Sequence, residues 1–124
     1  MSSWTADELD RIGRATELQV ASRRRDGSLR PFITIWVVRT DADVFVRSAH
    51  GPANPWFQRA LASGRGRIRA GGVERDVAFE VPEPEVNAAV SAAYHAKYDR
   101  YGPSIVGTVV SPDAVASTFR LMPA

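Results

Sequence analysis

The sequence contains no cysteine and a single lysine, Lys97, among its 124 residues. The lack of cysteine excludes a disulfide scaffold, a thiolate-bound zinc or iron–sulfur site, and catalysis by a thiol nucleophile. No apolar run approaches the roughly 20 residues that are needed to span a bilayer. The acidic N-terminal segment MSSWTADELDR also lacks the apolar region of a signal peptide. We therefore expect a cytoplasmic protein without membrane association.

Acidic residues are missing from one long segment, between Val44 and Val73, although the chain carries 14 of them. Because there is only one lysine, 15 of the 16 basic residues are arginine. The acid-free segment holds five of these: Arg47, Arg59, Arg65, Arg67 and Arg69. The planar guanidinium group suits phosphate and carboxylate groups. The segment therefore predicts either an anion-binding surface or a solvated basic face.

The hydrophobic fraction of 44% and the charged fraction of 24% are ordinary for a globular protein and predict one domain over residues 1–124. Alternating apolar residues and turn signals predict more strands than helices. We expect helices at 5–16, 54–63 and 83–99, and strands at 18–23, 30–39, 44–48, 65–70, 73–81, 106–110 and 116–122. Hairpin connections between most of these strands favour a small antiparallel barrel over a βαβ sheet.

The segment from Arg47 to Trp56 is the best candidate for a binding site. It combines the end of a strand, a short loop and the start of a helix, whose free N–H groups attract anions. The Arg47 guanidinium and the Ser48 hydroxyl offer donors to a phosphate, Gly51 permits close backbone approach, and Asn54 is a favoured N-cap. The alternative is that Ser48 and Asn54 only cap local structure while Arg47 pairs with an acid.

The two histidines, His50 and His95, have no partner at the spacing of metal ligands, so we expect no metal site. A Ser48–His50 nucleophile pair lacks the orienting acid and the oxyanion-hole motif of a serine hydrolase. We therefore interpret His50 as a loop residue that donates to a phosphate or a substrate.

Aromatic residues supply further candidates. Trp36 lies in the middle of a predicted strand, where core packing is favoured over ligand contact. Trp56 adjoins the predicted anion site, so the two interpretations stand equal there. Lys97 and Tyr98 belong to an aromatic cluster at the end of the third helix, which is typical of a core or subunit interface but is also compatible with ligand contact.

Arg65, Arg67 and Arg69 point to one side of a strand and form a basic stripe. Nucleic-acid binding through such a stripe requires exposed aromatic residues beside it, and none are interleaved here. The sequence therefore argues against a nucleic-acid partner, although this hypothesis stays testable by salt dependence.

Several motifs together resemble a family of uncharacterised small bacterial proteins. They include Asp26-Gly27, Ile35-Trp36-Val37-Val38, Val46-Arg47-Ser48, Gly66-Arg67-Ile68, Ala70-Gly71-Gly72 and Lys97-Tyr98. Over residues 26 to 56 the chain is also similar to the flavin- and deazaflavin-binding split β-barrels, which comprise pyridoxamine-phosphate-oxidase-like proteins and deazaflavin-dependent nitroreductases. The resemblance implies a mainly β (α+β) split barrel of six or seven antiparallel strands with about three flanking helices.

The same resemblance implies a homodimer with a cofactor at its interface. The phosphate-binding positions correspond to Arg47 and Ser48, with further cofactor contacts at His50, Gly51, Asn54, Trp56, Arg30 and Thr34, and a weaker candidate in Arg67. Substrate contacts would fall on Trp36, Lys97 and Tyr98.

The expected activity is hydride transfer between a flavin or deazaflavin and a small organic substrate. Ala49 and His50 replace the Arg-Lys pair of the oxidase-like pattern, while Gly51 to Trp56 is closer to the deazaflavin-type loop. FMN, a deazaflavin (coenzyme F420) and no cofactor all remain open. The alternative function is a cofactor-free ligand-binding protein or a non-redox enzyme such as a cyclase or isomerase.

Overall fold

Seven strands form one antiparallel sheet in the computed structural model, which describes residues 3–49 and 51–124. The strands are β1 (Leu18–Ser22), β2 (Ile33–Ile35), β3 (Val38–Arg39), β4 (Val44–Arg47), β5 (Arg65–Ala70), β6 (Val73–Glu80) and β7 (Thr118–Pro123). The α-helices are α1 (Ala6–Arg14), α2 (Pro55–Ser63), α3 (Asn87–Tyr98), α4 (Pro103–Val110) and α5 (Pro112–Val115). The mainly β (α+β) class is confirmed, and the described residues form five α-helices where about three were expected.

The strand order brings the two edges of the sheet near each other. The order is β2-β1-β5-β6-β7-β4-β3, so β2 and β3 are the two edge strands. Only Trp36 and Val37 separate these strands in the chain. Because two residues span so short a distance, the two edges lie near each other and the sheet curls into a half-barrel.

The long strand expected at 30–39 is divided in two. Its first part pairs with β1 and its second part pairs with β4. At the junction the Tyr98 hydroxyl replaces a neighbouring strand: the Val37 N–H donates to it at 3.1 Å, and it lies 3.0 Å from the Val37 carbonyl oxygen. The β-branched residues of this segment favour an extended chain, but a change of partners halfway along requires the break.

The strand expected at 106–110 is wrong, because this segment belongs to helix α4. Gly102 adopts a φ of 101°, and Pro103 then occupies the first turn of the helix. Val106 and Val109 are buried at helical spacing. Tertiary packing on one face of a short helix therefore overrides the β propensity of the valines.

Two apolar clusters lie on opposite sides of the sheet. The larger fills the barrel and contains Phe57 of α2 and Phe119 of β7, whose rings stack at 4.6 Å. The second lies between the sheet and α3 and α4, and it contains Phe45, Tyr94 and Tyr98. In the described part of the chain, no helix is long and apolar enough to cross a membrane.

Candidate functional site

A pocket of about 530 Å³ lies among the loop after β1, helix α2 and the start of β5. Nine side chains line it, and six of them are arginines: Arg23, Arg24, Arg25, Arg30, Arg59 and Arg65, with Gln58, Ala62 and Ser63 completing the wall. We call this the arginine pocket. No carboxylate appears among the residues that line it. Such a volume lies within the range of small-ligand sites.

Three separate elements bring these arginines together. The loop after β1 carries Arg23 to Arg25 and turns at Gly27, whose φ of 90° suits glycine. The Ser28 N–H donates to Asp26 Oδ1 at 2.9 Å and holds the turn. Helix α2 contributes Arg59, and Arg65 is the first residue of β5. The pocket is therefore fixed by a hairpin, a helix and a strand rather than by one mobile loop.

The arginines of the pocket differ in how many of their donors are already used. Arg23 pairs with Asp76 at 2.9 Å and also donates to the Gly27 carbonyl. Arg24 donates to the carbonyl oxygen of Leu29 at 2.9 Å. Within residues 3–49 and 51–124, no side-chain hydrogen bond or ion pair is made by Arg25, Arg59 or Arg65, and the Nε atom of Arg30 is buried without a partner. Crowded positive charges with free donors favour the binding of an anion.

A smaller apolar slot of about 120 Å³ adjoins this pocket and shares Arg30 and Arg59 with it. We call it the tryptophan slot, and its other lining residues are Val20, Ser22, Pro31, Ile33, Trp56 and Ala60. Trp56 is partly exposed there. A cationic pocket beside an aromatic slot suits a ligand with an anionic tail and a flat apolar ring.

Arg47, the first residue of the predicted phosphate site, is 1% exposed. Its Nε donates to Thr118 Oγ1 at 2.9 Å, its Nη1 to Ser91 Oγ and the Val109 carbonyl at 2.9 Å each, and its Nη2 to the Asn87 carbonyl at 3.2 Å. Burial lowers the pKa of this guanidinium. Arg47 pairs with no carboxylate in the described residues, and it joins β4 to β7, α3 and α4. A phosphate contact of Arg47 stays a prediction, because the guanidinium would have to give up some of these hydrogen bonds to bind a phosphate.

The neighbouring loop residues make local contacts through their backbone and caps, whereas the Ser48 hydroxyl is buried without a hydrogen-bond partner in the described residues. Ser48 is buried, and its N–H donates to Ser117 Oγ at 3.1 Å. Gly51 has a φ of 79°, and a Cβ there would lie 3.0 Å from the Cβ of Asp113. Asn54 caps α2 through its side chain, which accepts from the Trp56 N–H at 3.4 Å. His50 lies outside the described residues, so its predicted role is not placed.

Two predicted cofactor residues, Arg30 and Trp56, come together in the tryptophan slot. Thr34 instead lines a separate groove with Glu17 and Arg69, because adjacent residues of a strand face opposite sides of the sheet. Its role as a cofactor contact therefore stays a prediction, now at a different place from the slot.

The basic stripe of β5 is largely neutralised. Arg67 Nε lies 2.9 Å from Asp76, and Arg69 Nε lies 3.1 Å from Glu74. The Asp76 carboxylate raises the pKa of Arg67. Arg65, by contrast, faces the arginine pocket. The stripe therefore offers few free charges to a nucleic acid or to a cofactor phosphate.

The three residues predicted to contact substrate form one cluster away from the arginine pocket. Trp36 stacks on Tyr98 with a ring-centroid separation of 3.9 Å and an interplanar angle of 3°. Lys97 Nζ donates to the Val37 carbonyl at 2.7 Å. Burial raises the pKa of Tyr98 to about 12 and lowers the pKa of Lys97 to about 8. The Trp36–Tyr98 stack joins the packing of the second apolar cluster.

Sequence reasoning did not assign five of the pocket arginines to the cofactor site: Arg23, Arg24, Arg25, Arg59 and Arg65. The sequence does contain a signal for a cationic site here, because residues 23–25 are the only run of three consecutive basic residues in the chain. The sequence pattern does not show that this run forms one wall of a pocket, because Arg59 and Arg65 join it from distant positions in the chain. No group of three histidine or carboxylate side chains that could hold a metal is found in the part of the chain that the structure describes.

Solved structures with a similar fold cover most of the chain at low sequence identity. A protein of unknown function from Agrobacterium tumefaciens aligns over 95% of this chain with a TM-score of 0.65 and 12% identity, and the chain spans 52% of its length. A protein described as an F420 reductase aligns over 93% of this chain and 91% of its own, with a TM-score of 0.59 and 15% identity. A FAD and heme binding protein from Mycobacterium smegmatis aligns over 99% and 67%, with a TM-score of 0.57 and 16% identity.

These structural similarities show that the chain shares its overall fold with these proteins, as the sequence predicts. No curated protein matches the chain significantly in sequence. The family model that describes an uncharacterized protein conserved in bacteria (DUF2255) matches residues 8–121. That match includes almost every element of the sheet, and the chain therefore belongs to this bacterial family.

Proposed function

We propose that the protein is a flavin- or deazaflavin-dependent oxidoreductase that transfers hydride between its cofactor and a small organic substrate. The observation that carries the proposal is the union of the arginine pocket with the tryptophan slot through Arg30 and Arg59. Flavins and deazaflavins combine a flat ring with a phosphate-bearing side chain, which is the chemistry that these two cavities accept.

The donor set fits the anionic part of such a cofactor. Arg59 has an exposed and unengaged guanidinium, and the buried Nε of Arg30 has no partner in the described structure. We assign these two side chains to the phosphate, with Arg25 and Arg65 neutralising further negative charge. Trp56 orients the ring. When bound, the cofactor supplies the hydride chemistry, so the protein itself needs to provide only position and electrostatics.

The tryptophan slot has room for an edge of a tricyclic ring rather than for the whole ring, because its volume is only about 120 Å³. The exposed remainder of the ring requires another cover. We therefore include in the proposal a homodimer whose second protomer covers the ring and leaves space for substrate. A cytoplasmic location, where reduced cofactors are supplied, belongs to the same proposal.

The first test is a titration of the purified protein with FMN, riboflavin and coenzyme F420. Quenching of the fluorescence of the protein's three tryptophans measures binding. We expect saturable binding of at least one phosphorylated cofactor. Riboflavin, which lacks the phosphate, should bind more weakly than FMN if FMN is the ligand. Arg59→Gln should lower the affinity for the phosphorylated cofactor about tenfold, as expected for loss of a charge-assisted hydrogen bond.

The matched control is Arg14→Gln, which removes the same charge from the exposed helix α1, where Arg14 pairs with Asp10 at 2.8 Å. It should leave affinity unchanged. Equal effects of the two variants would overturn the assignment of the pocket. Failure of every cofactor to bind would instead favour the cofactor-free ligand-binding or non-redox alternative. Hydride transfer is tested separately by anaerobic stopped-flow reoxidation of the reduced cofactor with small electron-poor acceptors.

A further inference from the structure

Lys97 occupies an unusual position for a lysine. It lies in the last turn of α3, is only partly exposed, and has its Nζ 2.7 Å from the backbone carbonyl of Val37. Its side chain forms part of a shallow cleft of about 270 Å³ on the face of the sheet opposite the barrel interior. The cleft is lined by Gly13, Val38, Arg39, Ala93, Ala96 and Lys97.

In the part of the chain that the structure describes, this amine has no carboxylate partner, and its contacts are the Val37 carbonyl and the face of the Tyr98 ring. No carboxylate lines the cleft within the described residues, and the nearby Asp99 is bonded to His95 Nδ1 at 2.8 Å. Arg39 also lines the cleft, and burial alone accounts for the lowered pKa of Lys97. Tyr98, whose ring lies 5.2 Å from Nζ, stays neutral because burial raises its pKa to about 12.

Burial without a counter-ion lowers the pKa of Lys97 to about 8. A substantial fraction of this amine is therefore neutral near physiological pH, whereas an ordinary lysine is almost entirely protonated there. Only a neutral amine has the lone pair that attacks a carbonyl carbon.

We propose that Lys97 is a site of N-acylation by small acyl phosphates. Nζ forms a bond to the acyl carbon, the bond from that carbon to the phosphate oxygen breaks, and phosphate leaves with the electron pair. The proton released by the amine passes to water. The product is a neutral amide, whose remaining N–H still has the Val37 carbonyl as an acceptor.

Arg39 explains why the donor class is an acyl phosphate rather than a neutral ester. Its Nε donates to the Thr40 carbonyl at 3.0 Å and its Nη2 to the Asp41 carbonyl at 2.6 Å, while its Nη1 makes no hydrogen bond in the described structure. The guanidinium lines the same cleft as the amine. It is therefore placed to attract the anionic donor and to stabilise the departing phosphate.

The experiment is a time course of acetylation of the intact protein by acetyl phosphate, with peptide mapping by mass spectrometry. The chain with R14K provides an internal standard, because position 14 is exposed, with 73% of its side chain accessible. At pH 7.5 we expect Lys97 to be acetylated at least about tenfold faster than the engineered lysine at position 14. Its neutral fraction is roughly 200 times larger, and the lower basicity and partial burial of its amine reduce that advantage. The Lys97 rate should level off above pH 8, while the standard continues to accelerate.

A second variant tests the cleft itself. Arg39→Gln should slow acetylation of Lys97 by acetyl phosphate several-fold and leave its rate with neutral p-nitrophenyl acetate unchanged. That neutral donor also reports whether the cleft is intact in the variant. Acetylation of Lys97 no faster than that of the standard would overturn the proposal, and equal slowing with both donors would overturn the role of Arg39. Neither result depends on the proposed flavin site.

Discussion

Arg47 and the arginine pocket present the same side chain in two opposite settings. The Arg47 guanidinium is 1% exposed and makes four hydrogen bonds to Thr118, Ser91, Val109 and Asn87. In the pocket, the exposed guanidinium groups of Arg25, Arg59 and Arg65 make none in the described structure. Arg47 and Arg65 both lie at the end of a strand, so position in the chain does not distinguish the two settings.

The difference lies in whether the donors are already used. A buried arginine whose N–H groups are satisfied within the protein connects elements and contributes to stability. An arginine with free donors beside other cations raises the free energy of the unliganded protein and is relieved by an anion. The comparison therefore predicts that substitution of Arg47 lowers the free energy of unfolding, whereas substitution of the pocket arginines lowers the affinity for an anionic ligand.

The largest expected effect is on stability, from Arg47→Met. This change leaves the buried oxygen atoms of Thr118 and Val109, and the partly buried ones of Ser91 and Asn87, without this donor. Each unsatisfied buried group costs about 1–3 kcal/mol. We expect the free energy of unfolding to fall by about 3 kcal/mol or more in urea denaturation. Arg59→Met, the matched change at an exposed position, should alter it by about 0.5 kcal/mol or less.

The same experiment decides the sequence-based assignment of Arg47. A variant that retains its stability but loses affinity for FMN or F420 would show that the phosphate contacts Arg47 and that the comparison is wrong. A variant too unstable to purify leaves Arg47→Lys as the measurement, since lysine keeps the charge with fewer donors and should retain part of the stability.

The second expected effect is on binding, from the double change Arg25→Gln and Arg59→Gln. Removing two free cations should weaken binding of a phosphorylated cofactor by about 10- to 100-fold, on the scale of charge-assisted hydrogen bonds. Stability at low salt should not fall, because like-charge repulsion is reduced. A fall in stability with unchanged binding would contradict the division between the two settings.

Sequence reasoning recovered the fold better than the site, for physical reasons. Capping signals act over a few residues, and the helix expected at 5–16 is found as α1, which begins at a Thr5–Glu8 capping box. The break at Val37 and the helix at α4 depend on distant partners such as Tyr98, which local periodicity does not reveal.

The candidate site shows the same division. The sequence identified arginine as the informative residue type, and it placed Arg30 and Trp56 in one site, where the structure also brings them together. It did not indicate that α3 and α4 surround Arg47, because that contact joins residues 40 and 62 positions apart. Tertiary contacts decide whether the N–H donors of an arginine are already bonded within the protein or remain free for a ligand.

Lys97 lies between the two settings, as a partly buried cation with one carbonyl partner, and it predicts a pH dependence. Its pKa is about 8 in the folded protein, below the ordinary value. Between pH 8 and about 10.4 the unfolded chain therefore holds a proton that the native protein has lost, and stability rises with pH. Above about pH 10 the raised pKa values of Tyr94 and Tyr98 reverse the trend, because the native protein then retains protons.

Lys97→Met should remove the rise between pH 8 and 10, which we expect to be about 1–2 kcal/mol in the unmodified protein after solvent screening. Urea denaturation at pH 7, 8, 9 and 10 measures it. A rise of the same size in the variant would show that another group titrates and that the amine of Lys97 is not perturbed.

The smallest expected effect comes from Asp76→Asn, which turns a paired arginine of the pocket into a free one. Asp76 lies 2.9 Å from both Arg23 and Arg67, and these two cations lower the pKa of its carboxyl group. Losing exposed pairs of this kind should cost about 1 kcal/mol or less in stability. Arg23 then adds its charge to the arginine pocket, so affinity for a phosphorylated cofactor should increase about two- to threefold at low salt, while the affinity for riboflavin is unaffected.

Asp10→Asn, which removes an exposed carboxylate on α1, is the control and should leave the affinity for both ligands unchanged. Weaker cofactor binding in Asp76→Asn would mean that the Asp76 pair positions Arg23 for the phosphate. In that case an arginine that is already paired within the protein would also bind the ligand, and the division between the two settings would not hold in this pocket.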